Sequence, residues 1–293
     1  MSNSFRRRPK DVGPRSDISE LRQQFEHLFL KFGLPPSDAV FEPAQIGPVN
    51  GEWVHTPNSS PDRVLLYFHG GGYIAGSPLS HRPLIARLAA ASEATAFSVD
   101  YRLAPEHAFP SAVRDGMDVY RHLTAKTVLP KSVVIAGDGS GGGLAFAVLH
   151  AIRTGNLEMP AGCIAMSPWA DLTLSGWSML QNARSDRELD REMLFIAARQ
   201  YLKKTNPGDP YASPCFAAFK EFPPIMVHAG SREILRDDAS RLGDRAADAN
   251  IPVSVEIYDG MEHLFQGDPA IPEAKVSLQR LGQFVRARTR PAP

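Results

Sequence analysis

Cysteine is scarce in this chain. Cys163 and Cys215 are the only two, which excludes a disulfide framework and a thiolate-rich metal cluster. They can pair only with each other, and both are expected as reduced thiols of a cytoplasmic protein, Cys163 serving the packing of an apolar strand. Excess charge is also lacking: 32 basic residues face 32 acidic ones in 293, so nothing points to an electrostatic nucleic-acid or membrane partner. The Arg6-Arg7-Arg8 run is short and reads as a solvated tail. No apolar run reaches the roughly 18 residues of a membrane span, and the N-terminus lacks the apolar core of a secretory signal. No histidine pair has metal-ligand spacing, so no metal site is expected.

What is present is a regular alternation. Strands are expected at Ala39–Gln45, Glu52–His55, Val64–Phe68, Thr95–Asp100, Val133–Ala136, Cys163–Met166, Ile225–His228 and Val253–Ile257. Helices are expected near 81–91, 111–125, 142–154, 188–203, 236–249 and 272–288. Such alternation predicts an α/β fold, a mostly parallel eight-stranded sheet with helices on both faces. The first two strands have no helix between them, so they should form an antiparallel hairpin. Ahead of them, Ile18, Leu21, Phe25, Leu28, Phe29 and Phe32 recur at helical spacing, with Ser16 or Asp17 as cap and Gly33 and Pro35-Pro36 as stop.

Residues 169–222 interrupt the rhythm with two tryptophans, a charged helix and the turn-rich Asn206–Pro210. The expected division is therefore an N-terminal cap segment at 1–36, its first 15 or so residues poorly ordered, a main domain at 37–168 and 223–293, and a helical cap insertion at 169–222. The cap would cover the carboxyl edge of the sheet, where open α/β sheets bind ligands.

Four segments carry chemistry. His69-Gly70-Gly71-Gly72 follows a strand, and its glycines let backbone N–H groups approach a developing oxyanion. Gly137-Asp138-Gly139-Ser140-Gly141 joins a strand to a helix, the setting of a G-x-S-x-G nucleophile elbow. Gly139 stands where the nucleophilic serine belongs, and Ser140 lies one place too late. A dinucleotide-binding loop is the rival reading, but the next strand ends in Ser167-Pro168-Trp169, without the acidic residue such a site needs. Gly230–Asp238 offers Glu233, Asp237 and Asp238 as an orienting acid. The two aspartates should begin a helix, where its dipole favours them, which leaves Glu233. His263 is the only one of nine histidines that follows the acid, giving the order nucleophile site, acid, histidine.

With these segments, Asp100-Tyr101-Arg102-Leu103-Ala104-Pro105-Glu106-His107, Ser167–Leu172 and Asp209–Pro214, the chain resembles a bacterial esterase of the hormone-sensitive lipase family, within the α/β-hydrolase fold. The resemblance spans residues 69–263. It implies oxyanion donors at the backbone N–H groups of Gly71, Gly72 and Ser140, a triad acid at Glu233, a cap, often a homodimer, a small-molecule ester substrate and no cofactor. Members carry serine at the position of Gly139, as in Gly-Asp-Ser-Ser-Gly-Gly. One substitution separates this chain from that form. An engineered nucleophile knockout that traps substrate or product is thus favoured over a natural non-hydrolytic small-molecule binder. The parent activity is read as carboxylic-ester hydrolysis, with amide or lactone hydrolysis as the rival within enzymes.

Overall fold

The computed structural model describes residues 18–126 and 128–289. The tail expectation at 1–15 and the caps Ser16 and Asp17 lie outside them. Eight strands form one sheet: β1 (Val40–Ile46), β2 (Val49–His55), β3 (Ser60–Phe68), β4 (Ala94–Val99), β5 (Val133–Asp138), β6 (Gly162–Met166), β7 (Ile225–Gly230) and β8 (Val253–Tyr258). Their spatial order is β1-β2-β4-β3-β5-β6-β7-β8. β2 pairs antiparallel with both β1 and β4, so the hairpin start is present, and the other pairings are parallel.

The central strands are apolar on both faces, as a doubly covered sheet requires. Val64, Leu66 and Phe68 of β3 enter one core cluster, and Leu65 and Tyr67 enter the other. The first cluster is closed by α3 (Ser111–Lys126), α4 (Gly139–Thr154) and α7 (Arg236–Asp248), through Val119, Leu144, Val148, Leu242 and Ala246. The second is closed by α2 (Pro78–Ser92) and α8 (Pro272–Arg288), through Leu84, Leu88, Leu278 and Leu281. Because β3, β5, β6, β7 and β8 run parallel, the loops that follow them emerge at one edge. His69, Gly139, Ser167, Glu233 and His263 are all on those loops or at their ends.

Two pieces lie over that edge. The helix α1 (Ile18–Phe29) buries Leu21, Phe25 and Phe29. Arg22 Nε donates to Ile74 O at 2.7 Å, and Glu26 Oε1 accepts from Gly76 N at 2.9 Å, fixing α1 on the glycine loop. Residues 169–222 contribute the one-turn helix α5 (Ser178–Gln181) and the longer α6 (Arg191–Leu202). α6 starts three residues later than the pattern suggests, because Asp190 caps it, its side chain accepting from Met193 N at 2.8 Å.

Asp237 and Asp238 do lie in the first turn of α7, but Asp238 is 1% exposed and does more than offset a dipole. Its Oδ2 accepts from Ala170 N at 2.8 Å and Asp171 N at 2.9 Å, tying the insertion to α7. Burial, reinforced by nearby Asp171, pushes its carboxyl up to about 8. Between about pH 4 and 8 the folded state then holds a proton that the unfolded chain releases, so this group lowers stability as pH rises through that window. Asp238→Asn keeps an oxygen for both N–H groups and removes the titration. Its Tm relative to the unsubstituted chain should climb from pH 4 to 8. A pH-independent difference in differential scanning fluorimetry would contradict this.

Candidate active site

The glycine loop is shaped by contacts that only glycine tolerates. Gly71 has φ +117°, and a Cβ there would lie 2.2 Å from Ala75 O, a backbone atom that cannot swing away. His69 behind it is buried, with Nδ1 2.8 Å from Gly70 O and its ring stacked on Tyr101 at 4.3 Å. A carbonyl only accepts, so Nδ1 carries the proton. Burial, with His81 nearby, lowers the His69 pKa to about 3, so the ring is a neutral brace.

Asp138 sits at the N-cap of α4, yet its side chain makes no cap. Instead Oδ1 accepts from Tyr67 Oη at 2.6 Å and Gly70 N at 3.1 Å, and Oδ2 lies 3.4 Å from His81 Nε2. Burial opposes its charge, but His81 and Tyr67 outweigh that and hold the carboxyl below its usual range. The carboxylate thus joins the glycine loop to the elbow, and leaves the N-terminal N–H groups of α4 for the pocket.

At the elbow, Gly139 has φ +51° and its carbonyl accepts from Trp169 N at 2.8 Å. A Cβ at position 139 would stand 3.7 Å from His263 Nε2, 3.8 Å from Gly70 Cα and 3.9 Å from His263 Cε1. Those are ordinary contacts, so a serine fits at the cost of a left-handed backbone alone. The Ser140 hydroxyl is turned elsewhere: Oγ accepts from Tyr73 N at 3.3 Å, bracing the glycine loop.

Glu233 and His263 meet at the opposite side. His263 Nδ1 donates to Glu233 Oε2 at 2.8 Å, which leaves the Nε2 lone pair for the space over Gly139. Glu233 Oε1 accepts from Gly230 N and, at 3.0 Å, from Ser167 Oγ. Ser167 Oγ in turn accepts from Leu264 N at 3.1 Å, so one hydroxyl ties the acid to the histidine loop. Sequence reasoning gave Ser167 no role. Its signals were its place just past a central strand and its membership of the Ser167–Leu172 segment that carries the family resemblance.

The acid loop is also held from the insertion. Asn182 Nδ2 donates to Ser231 O at 2.9 Å and Glu233 O at 2.8 Å, and Asp186 Oδ2 accepts from Ile234 N at 2.8 Å. From the N-terminal side, Lys31 Nζ donates to His263 O at 2.6 Å and pairs with Glu188 at 3.3 Å. The resulting pocket is lined by Gly71, Gly72, Gly139, Ser140 and His263. Phe25, Leu28, Phe29, Leu189, Leu194 and Leu235 form much of its apolar wall.

Among the described residues no group of three or more His, Cys, Asp or Glu side chains could hold a metal ion, and no helix is long and apolar enough to cross a membrane. Glu233, His263 and a glycine loop converging on an elbow mark a scaffold of the serine-hydrolase class. Comparison with known proteins sharpens this. Residues 65–267 match the alpha/beta hydrolase fold family. An acetyl-hydrolase from Streptomyces hygroscopicus is 37% identical over 280 residues, covering 95% of this chain and 91% of that protein. An esterase from Acinetobacter venetianus is 36% identical, covering 90% and 87%. The crystal structure of an esterase from the bacterial hormone-sensitive lipase family superimposes with a TM-score of 0.91 at 35% identity, covering 95% and 94%. The chain belongs to that family of carboxylic-ester hydrolases, within the α/β-hydrolase fold.

Proposed function

We propose that the pocket binds short-chain carboxylic esters and that this chain, as it stands, holds them with very slow turnover. The single observation that carries the reading is position 139, where the backbone has the geometry of a nucleophile elbow, faces His263 Nε2 and bears no side chain. With serine there, the hydroxyl would attack the ester carbonyl, His263 would act as base and then acid, and Glu233 would hold the imidazole tautomer. The N–H groups of Gly71, Gly72 and Ser140 would stabilise the tetrahedral oxyanion. Without it, the binding walls and the oxyanion donors remain. Calorimetry with a slowly hydrolysed ester should show saturable binding with little product. If no ester binds, while Gly139→Ser turns the same esters over with a low KM, the glycine disturbs the elbow itself.

In the Gly139→Ser background, acyl chains of roughly two to six carbons should be preferred, on resemblance to the small esterases of the family and the lack of an evident apolar lipid-docking surface in the sequence. A kcat/KM series from acetate to palmitate tests this, and a peak at twelve carbons or beyond would contradict it. The same reading has residues 1–36 and 169–222 acting as the cap, a cytoplasmic location consistent with two buried free thiols, and no cofactor. A homodimer is proposed on family resemblance alone and is checked by light scattering.

A further inference from the structure

The missing side chain leaves room beside a base that is still oriented. Its chain neighbours and its own helix backbone aside, a methyl-sized group at position 139 would have His263 Nε2 as its nearest heavy atom, at 3.7 Å, and this room adjoins the ester pocket, whose lining includes Gly139 and His263. Nδ1 of His263 remains engaged by Glu233 at 2.8 Å, so Nε2 is the acceptor. What serine would supply here is a methylene carrying a hydroxyl. A small primary alcohol supplies the same two groups untethered.

We propose that the space over Gly139 is a binding site for a small primary alcohol, and that the chain transfers the acyl group of a bound ester to it. The inference rests on the esterase reading of the pocket. In this step His263 Nε2 takes the alcohol O–H proton as the alcohol oxygen bonds to the carbonyl carbon. The tetrahedral oxyanion faces the N–H groups of Gly71, Gly72 and Ser140. It then collapses, the bond to the original alkoxide breaks, and His263 returns the proton to that leaving group. One ester and one alcohol become another ester and another alcohol, with no covalent enzyme intermediate. Water in the same place gives slow hydrolysis, the reaction with which the alcohol competes.

The size of the site sets a sharp order. The space is that of one absent CH₂OH group, so methanol should be the best acceptor, ethanol a poorer one and a tertiary alcohol the poorest. A tethered hydroxyl enjoys an effective molarity on the order of 10⁵ M or more, while loss of the nucleophile costs on the order of 10⁶. Methanol near 1 M should therefore raise the residual rate by at most roughly tenfold.

The test uses the chain as it is, with p-nitrophenyl butyrate and increasing methanol, ethanol, isopropanol or tert-butanol. p-Nitrophenol release and the methyl or ethyl butyrate formed are both measured, against buffer blanks. Saturable acceleration by methanol and ethanol, with the new ester as product and no response to tert-butanol, is expected. Gly139→Ala puts a methyl group into the room and should lose the acceleration; His263→Ala should lose it too, and guards against an alanine variant that folds poorly. Equal acceleration in both variants would place the chemistry elsewhere and overturn the proposal. So would no acceleration while Gly139→Ser hydrolyses the same ester, an outcome that leaves the esterase reading intact. An inert, folded Gly139→Ser would instead remove the reading beneath it.

Discussion

Gly139→Ser is expected to raise hydrolysis of p-nitrophenyl butyrate by on the order of 10⁶, the scale on which a triad nucleophile contributes to kcat. The geometry requires no rearrangement for this. The Cβ position is in ordinary contact with His263 and Gly70, and the carbonyl of Gly139 is already held by Trp169 N–H. The same substitution should lower stability, because φ +51° suits glycine and costs an L-residue about 1–2 kcal/mol. Activity gained with Tm lost is thus the combined signature, measured by steady-state kinetics and thermal unfolding of the same two proteins. A revertant that is folded but inert would contradict the esterase reading of the site.

Glu233→Gln in the Gly139→Ser background should lose about 10⁴ in kcat, the effect of neutralising a triad acid in a protease. The reason is the number of acceptors. Glu233 Oε1 serves Gly230 N and Ser167 Oγ, and Oε2 serves His263 Nδ1. A glutamine has one acceptor oxygen. If that oxygen keeps the first two partners, its NH₂ faces His263 and forces Nδ1 to accept. The proton then moves to Nε2, which can no longer act as a base. KM should change little, because Glu233 is buried behind the imidazole and does not line the pocket. A loss confined to KM would point to a role in binding. Retained kcat would move the orienting acid elsewhere, to Asp237 or Asp238. Both of those carboxylates are occupied otherwise: Asp237 Oδ2 accepts from Ser178 N at 2.8 Å, and Asp238 holds the backbone of Ala170 and Asp171.

Much of the fold and site was legible because the relevant signals are local. Apolar runs of four to six residues separated by helical periodicity mark the central strands, and α8 has the bounds its pattern suggests, at 272–288. The glycine loop, the elbow and the order of acid and histidine are likewise short-range or ordinal features. What escaped is long-range. The one-turn α5 is too short to show a period. Asn182 reaches Glu233 O across 51 positions, and Ser167 reaches Glu233 across 66, through single hydrogen bonds that leave no pattern in sequence. Asp238 begins its helix as its position suggests, but its burial against the insertion is tertiary and has no local signal. Residues 182–190 were expected to be helical in part, but their side chains and backbone are committed to the acid loop and to turns, so α6 begins only at Arg191.

The most direct measurement of where the chemistry resides is intact-protein and peptide mass spectrometry after a rapid acid quench from p-nitrophenyl butyrate. Gly139→Ser should carry a butyryl group on the peptide containing position 139 and at that residue by fragmentation. The unsubstituted chain should carry none. A butyryl group on Ser140 in either protein would contradict the assignment of position 139 as the nucleophile site, since Ser140 Oγ is placed to brace Tyr73 N rather than to face His263.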